Sequence, residues 1–542
     1  MTAAAFPAHT GTGTGTGSSR QLAGTGALLR FNLRRDRVVI PAWVAVTGLL
    51  VFSLPGSLKA VYSTPAERAD IARQMLTNSS LRATYGPVFS DSLGGLTAWR
   101  IGGYAAILAG IMSLIVVVRH TRDEEESGRQ ELVSSAMVGR RAPLTAALLT
   151  AFVANSALAL LITAGMASAG QGSAGAPALG LGIGGVGMVF ATLAAIVAQF
   201  TDSGRLAKGL TGGLLGAAFV LRAVGDSTTN NGSSPATWIS PIGWLENLRP
   251  FASERWWVLA LFVAAPLLQG LLAYELAGRR DVGMSFFPAR PGPTHGRLGT
   301  AGALAWRLQR GSVLGWSLGF LAAGVAFGGI TKGAADLVGD NAKTREIIER
   351  MGGQSGIENA FLATMVGMFG MLAALYAVSS VLRLHSEETG QRAEPILANA
   401  VGRLRWAAGH LVIAFGGAVL IMLLSGLGLT LGYGADPGPI LAATLVQLPA
   451  IWTLGALAVL LHGLSPRLSP LSWAAAGLAL LLGWIGPALN LPRTVLDISP
   501  FGHLPKLPGG GMAWGPVIAL TVIAAVLVAV GLTALRRRDL TT

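Results

Sequence analysis

Long apolar runs alternate with short polar ones along almost the whole chain. The window 143–168 reads PLTAALLTAFVANSALALLITAGMAS, and like 177–200, 411–433 and 511–535 it holds no charged residue. A helix of about 20 such residues crosses roughly 30 Å of hydrocarbon. The pattern predicts about twelve spans, at 38–55, 99–118, 143–168, 177–200, 209–225, 255–278, 313–330, 361–382, 407–431, 439–461, 471–489 and 513–535. The fold class expected is an all-α polytopic membrane protein with about 12 transmembrane helices.

Composition agrees: of 542 residues, 52% are hydrophobic and 12% charged, more apolar surface than a soluble core uses. The net charge of +14 is a topology signal. About 26 of the 40 Lys and Arg fall in loops on one side of the predicted spans, with about half of the acids, which is the positive-inside bias. Both termini are therefore expected in the cytoplasm and the chain in the plasma membrane. No nucleic-acid partner is expected, because the basic excess is accounted for by orientation. There is no cysteine, which excludes disulfides and thiolate chemistry. The Gly/Thr-rich start, residues 1–24, has no basic region leading into an apolar stretch and reads as a disordered cytoplasmic tail.

The chain is written twice. ISPIGWL (239–245) returns as ISPFGHL (498–504), each just before the closing span of a six-span group. LRFNLRR (29–35) is echoed by LAWRLQR (304–310), placing Arg35 against Arg310. EESGRQELVSSAMVGR, starting at 125, is echoed by EETGQRAEPILANAVGR (387–403) with one inserted residue. The three pairs run in the same order, separated by about 275, 262 and 259 residues. Two parallel six-helix halves are expected, 25–284 and 301–542, joined by the Pro/Gly-rich cytoplasmic linker 285–300. The outer loops 64–87 and 334–360 each carry a short amphipathic pattern, with Ile71 and Met75, or Ile347 and Met351, on its apolar side. Both are expected to lie on the outer membrane surface.

Four consecutive acids, Asp123 to Glu126, stand at the end of the second window. Each costs about 2.5–3.5 kcal/mol at a bilayer centre, so this stretch must leave the membrane on the cytoplasmic side. Leu132, Val133, Ala136 and Met137 follow at helical spacing, giving a short helix with one apolar and one acidic face. The second half repeats the device with Glu387, Glu388, Gly390 and Glu394, then Ile396, Leu397, Ala400 and Val401. Such a face suits docking on a basic partner surface.

The pattern E-x-x-G-x-x-E-L between the second and third spans resembles the coupling helix of permease subunits of type-two ABC exporters. The longer TRDEEESGRQEL, in a two-half chain with ISPxGxL before each closing span, resembles the actinobacterial efflux permeases of tetronasin and polyketide resistance. That resemblance implies that Glu124, Glu125, Glu126, Gly128 and Glu131 contact one nucleotide-binding subunit, and Glu387, Glu388, Gly390 and Glu394 a second copy. It implies that ATP and Mg sit on those partners, with none in this chain, and that the cargo is a hydrophobic small molecule moved out through the bilayer. Arg35 and Arg310 would belong to connecting helices on the inner leaflet. A substrate path between the halves, lined by the second and fifth spans of each, nominates Tyr104, Leu108, Met112, Leu215 and Phe219 in the first. Met365, Met368, Phe369, Met371, Tyr376 and Trp484 are nominated in the second.

The chain carries no G-x-x-x-x-G-K-[ST] and no Gly-Lys pair at all, so it has no phosphate-cradling loop of its own. No H-E-x-x-H occurs, and the seven His show no metal-ligand spacing. His120 and His385, beside the acidic stretches, are expected at the surface, and Arg222 and Glu275 near span ends, within reach of an interface. An ion-coupled twelve-span carrier is the alternative; it needs more mid-membrane ionisable groups than these windows hold. A polytopic membrane enzyme would need an acid/base or metal cluster that the pattern does not supply.

Overall fold

The computed structural model describes residues 21–77, 79–134, 138–172, 174–229, 233–281, 283–286, 299–331, 357–484 and 492–539. They fold into helices joined by short turns and divide into two compact units, 1–291 and 292–542. Helices are what a bilayer permits, since each backbone N–H and C=O must be satisfied within its own segment.

In the first unit the order is α1 (Thr25–Arg35), α2 (Val39–Val61), α3 (Pro65–Thr77), α4 (Ser79–Tyr85), α5 (Leu93–Arg119), α6 (Arg122–Glu126), α7 (Arg129–Ser134), α8 (Ala142–Ser168), α9 (Gly175–Phe200), α10 (Gly204–Thr228), α11 (Pro235–Ile239), α12 (Pro241–Leu248) and α13 (Leu259–Arg279). The second continues with α14 (Ala301–Thr331), α15 (Ile357–Val381), α16 (Arg383–Thr389), α17 (Glu394–Leu397), α18 (Arg403–Tyr433), α19 (Pro437–Leu445), α20 (Leu448–Leu464), α21 (Leu471–Trp484), α22 (Arg493–Leu496) and α23 (Trp514–Arg537).

Eleven helical segments among the described residues are long and apolar enough to cross a membrane, and the chain is an all-α polytopic membrane protein. The expectation of twelve is met in eleven places. The window 471–489 yields α21, 14 described residues, and 485–491 lie outside the description. In each unit the acidic segment marks one end of the helices; the opposite one is called the far end below.

The halves open differently, and one residue accounts for it. Asp36 ends α1: it is fully buried, its carboxylate 2.6 Å from His120 Nε2 and 3.0 Å from Arg119, both at the end of α5. The chain turns there before α2 begins. At the matching place in the second half stands Gly311, with no acid to anchor a corner, and α14 runs unbroken from Ala301 to Thr331.

Close helix packing uses small residues, as lipid-embedded interfaces do. The tightest crossing is α14 on α18. A methyl on Gly328 would lie 2.3 Å from the Leu429 carbonyl oxygen, and one on Gly432 2.1 Å from that of Val325. In the first unit Asn155 of α8 donates from Nδ2 to the Ser113 hydroxyl of α5 at 2.8 Å, and the Thr192 hydroxyl donates to Gln269 at 2.6 Å.

The far-end loop of the first half differs from expectation. Ile71 and Met75 of α3 are buried in the protein, so the apolar side of this helix faces protein instead of a lipid surface. Ile347 and Met351 lie outside the described residues. The ISPxGxL repeat has a shared structural meaning. Ser240 caps α12, accepting the Ile242 N–H, and donates its hydroxyl to the Ala218 carbonyl of α10 at 2.7 Å. Ser499 donates to the Ala479 carbonyl of α21 at 3.2 Å.

Candidate functional site

The acidic segment of the first half begins where α5 ends. Its acids do not face outward as a free docking surface; they are engaged within their own unit. Asp123 meets Lys208 Nζ of α10 at 2.6 Å. Glu124 binds Arg35 of α1 and takes Arg129 Nε at 2.9 Å. Glu125 binds Arg122 and forms a two-bonded pair with Arg280, at 2.7 and 2.8 Å. Glu126 accepts the first amide of α10, that of Gly204, at 2.8 Å, an N–H that no turn of the helix can satisfy. Gly204 lets the carboxylate come this close, since a methyl there would lie 1.9 Å from Asp123 Oδ1 and push that side chain aside.

These contacts correct the expectation of a free acidic face. The reason is reach: Arg35, Lys208 and Arg280 come from helices distant in sequence that converge under the segment, and a carboxylate withdrawn from water needs such partners. His120 is likewise buried, against Asp36, instead of exposed. Burial alone would raise the Asp36 carboxyl, but the hydrogen bond to His120 and the charges of His120, Arg119 and Arg35 outweigh it and hold it below the usual carboxylate range.

The second half repeats the arrangement in a register that sequence identity alone misplaced. Glu388 forms a two-bonded pair with Arg538, 2.6 Å on each side, and lies 3.3 Å from His462 Nε2. Glu387 is held by Arg383 at 2.8 Å and Arg392 at 3.0 Å. Glu125–Arg280–Gln199 in one half, where Arg280 Nε donates to Gln199 Oε1 at 2.6 Å, thus answers Glu388–Arg538–His462 in the other. Glu124–Arg129 answers Glu387–Arg392. Glu125/Glu388, Gln199/His462 and Arg129/Arg392 are all about 263 residues apart, so no inserted residue is needed. The counterpart of Gly128 is Gln391, not Gly390: Gly128 has φ 72° and Gln391 φ 56°, while Gly390 sits at −84°.

Arg280, Gln199, Arg538 and His462 were missed from sequence. The signal was present, since GRRD (278–281) and RRRD (536–539) follow the two closing spans. Each clamp ties three places together: the end of the second span of its half, the end of the fourth, and the stretch leaving the last.

What remains exposed is the tip of each segment. Glu126, Arg129, Glu131 and Leu132 face solvent, Leu132 at 74%. Glu394, Pro395 and Ala398 do so in the second half. The stripe expected at 132–137 lies in α7 only to Ser134, and 135–137 are outside the description. Its second copy is helical only across Glu394–Leu397.

The residues nominated for a substrate path divide. Met112, Leu215, Phe369, Met371 and Tyr376 are buried within the packing of their own unit. Tyr376 donates its hydroxyl to the Ile413 carbonyl at 2.9 Å, and Phe369 packs on Phe320 and Phe327. These five are packed among neighbouring side chains. Tyr104, Leu108, Phe219, Met365 and Met368 are half-buried, and Trp484 is 46% exposed. Glu275 is exposed and paired with Arg279, as expected of a span end. Arg222 is not: it is buried at the far end between Asp226 and Glu246. Among the described residues no three His, Asp or Glu are placed to hold a metal ion.

Residues 298–536 match the family described as the C-terminal domain of the multidrug efflux system permease Rv1217c. Across 536 residues, 95% of each chain, the sequence is 41% identical to the multidrug efflux system permease protein Rv1217c of Mycobacterium tuberculosis. A likeness this long spans both acidic segments and both ISPxGxL motifs. The chain belongs to the family of the Rv1217c multidrug efflux permeases.

Proposed function

We propose that this chain is the membrane-spanning subunit of an ATP-driven ABC exporter of hydrophobic small molecules, with both termini in the cytoplasm. Two copies of a separate nucleotide-binding subunit dock on it, at the exposed tips 126–132 and 389–400, and carry the ATP and Mg. The observation that carries this reading is the doubled clamp beneath those tips. Glu125–Arg280–Gln199 and Glu388–Arg538–His462 join each segment to two further helices, so a push on a tip is delivered to a bundle and not to one loop. Charge-assisted, two-bonded carboxylate–guanidinium pairs resist shear better than single contacts because their geometry is fixed at two points. The lack of any Gly-Lys pair in the sequence supports a separate ATP-binding subunit. The acids transmit force and catalyse nothing. With those acids neutralised inside the clamp, partner recognition falls to the exposed Glu131, Leu132, Glu394 and Pro395.

Affinity purification of the tagged chain tests this. An ATPase subunit recovered at two copies per permease, lost on Leu132→Asp together with Pro395→Asp, is the expected result. Cargo movement by the purified chain alone in vesicles, driven by an ion gradient without ATP, overturns it.

A further inference from the structure

At the far end of the first half lies a charged cluster that the clamp does not use. Asp226 stands in the last turn of α10 and Arg222 one turn earlier, while Glu246 comes from α12. Arg222 Nη1 lies 2.9 Å from Glu246 Oε1 and 3.5 Å from Asp226 Oδ2. Its Nη2 is taken by the carbonyls of Ala83 and Thr84 in α4, both at 3.0 Å, while Nε is buried without an acceptor among the described groups. Asp226 Oδ1 accepts the Thr237 hydroxyl at 3.1 Å. The Arg82 guanidinium is committed to main-chain carbonyls, of Leu76, Asp226 and Ser227. Side-chain exposures of Arg222, Asp226 and Glu246 are 1%, 0% and 11%.

Two carboxylates thus share one guanidinium in a nearly dry place. Both reach the same Nη1, and Asp226 Oδ2 and Glu246 Oε2 are both buried with no hydrogen-bond donor among the described groups. Two carboxylates gathered on one cation relieve their mutual repulsion when one of them carries a hydrogen. The other titratable or charged groups around the pair are Arg82 and Tyr85 from α4, Arg100 and Tyr104 from α5, and Arg249 after α12. None of them supplies a hydrogen to either orphan oxygen.

The repeat shows that the fold does not demand these charges. Ser240 on Ala218 and Ser499 on Ala479 are the same joint, so the counterpart of Arg222 is Gly483, and that of Glu246 is Pro505. Residues 471–492 contain no ionisable side chain. The second half is written without charge along this stretch; the first installs a buried acid pair.

We propose that Asp226 and Glu246 hold one proton between them, making the far end of the first half a proton-binding site with no equivalent among the described residues of the second. Glu246, the more exposed, is the exit. It lines a small pocket open toward solvent with Tyr85, Phe89, Trp99 and Arg249, through which the proton passes. Its loss leaves two negative charges on one guanidinium and loosens the joint between α10, α4 and α12. Burial pushes the Glu246 carboxyl well above its usual range; Arg222 opposes this and the Asp226 charge adds to it. The site stands on this geometry and not on how export is powered, so it survives if the ATP-driven reading fails.

Infrared spectroscopy of the full chain in lipid nanodiscs tests it through the C=O stretch of a protonated carboxyl. A band worth one carboxyl at neutral pH is expected, bleaching as pH is raised and missing from Glu246→Gln and Asp226→Asn. A band unchanged in both variants, or no such band at neutral pH in the unsubstituted chain, overturns the proposal. Should either variant fail to fold, the pH titration of the unsubstituted chain decides alone: bleaching of one carboxyl upholds the site, and its absence sinks it.

Discussion

Glu388 and Arg538 meet through two parallel hydrogen bonds of 2.6 Å, with Glu388 almost wholly withdrawn from solvent. A carboxylate there without its guanidinium is a buried, uncompensated charge, and so is the reverse case with more freedom to escape. Removing one partner of such a pair costs about 3–5 kcal/mol. Arg538→Ala is therefore expected to lower the melting temperature of the purified protein and to abolish efflux. The exchange Glu388→Arg with Arg538→Glu is expected to recover part of both. A melting curve of Arg538→Ala that overlays the parent would show that the pair holds nothing.

The tip is expected to behave in the opposite way. Leu132 is exposed and its removal leaves no cavity, so Leu132→Ala changes stability by no more than about 0.5 kcal/mol. If the tip is where a partner grips, Leu132→Asp lowers ATP-dependent transport several-fold while the melting temperature holds. Glu125→Ala, at the clamp, lowers both. Loss of stability in the Leu132 variants would return the tip to an ordinary packing role.

How far the sequence was legible follows from this contrast. The spans were readable because a bilayer forces charge-free windows of fixed length, and the repeats were readable because similar short motifs recur in order. The partners of the acids were not. Lys208, Arg280 and Arg538 lie 85 to 155 residues away from the carboxylates they bind, and no local pattern announces such a pairing. The register slipped because glycine was taken as the anchor of the turn, whereas the left-handed backbone moved from Gly128 to Gln391. Arg222, near the end of a window, looked able to reach water; α4 and α12 fold over it, and neither is visible as a lid in hydropathy.

The corner at Asp36 makes a pH prediction. Its carboxyl is held below the ordinary value near 3.8, so it contributes stability that is fully present above that value and lost as pH falls through its folded pKa. Thermal scans from pH 5 downward are expected to show a loss in the parent that Asp36→Asn lacks, the variant being less stable at pH 5. A parent and variant that fall in parallel would remove Asp36 as the source.

The far-end pair predicts the opposite slope. A carboxyl whose folded pKa is raised stabilises the protein fully below its unfolded pKa, about 4.5, and that contribution is lost as pH climbs through the folded value. Stability at the far end of the first half is thus expected to decline on the alkaline side, with the decline absent in Glu246→Gln. Glutamine keeps the contact with Arg222 and supplies a donor to Asp226 at every pH, which is why it and not alanine isolates the proton. Protection of the α4 and α10 amides from hydrogen exchange reads this locally. Corrected for intrinsic exchange, the parent should open faster at pH 9 than at pH 7, and the variant equally at both. Opening in the parent that is independent of pH would mean that no proton leaves the pair in this range.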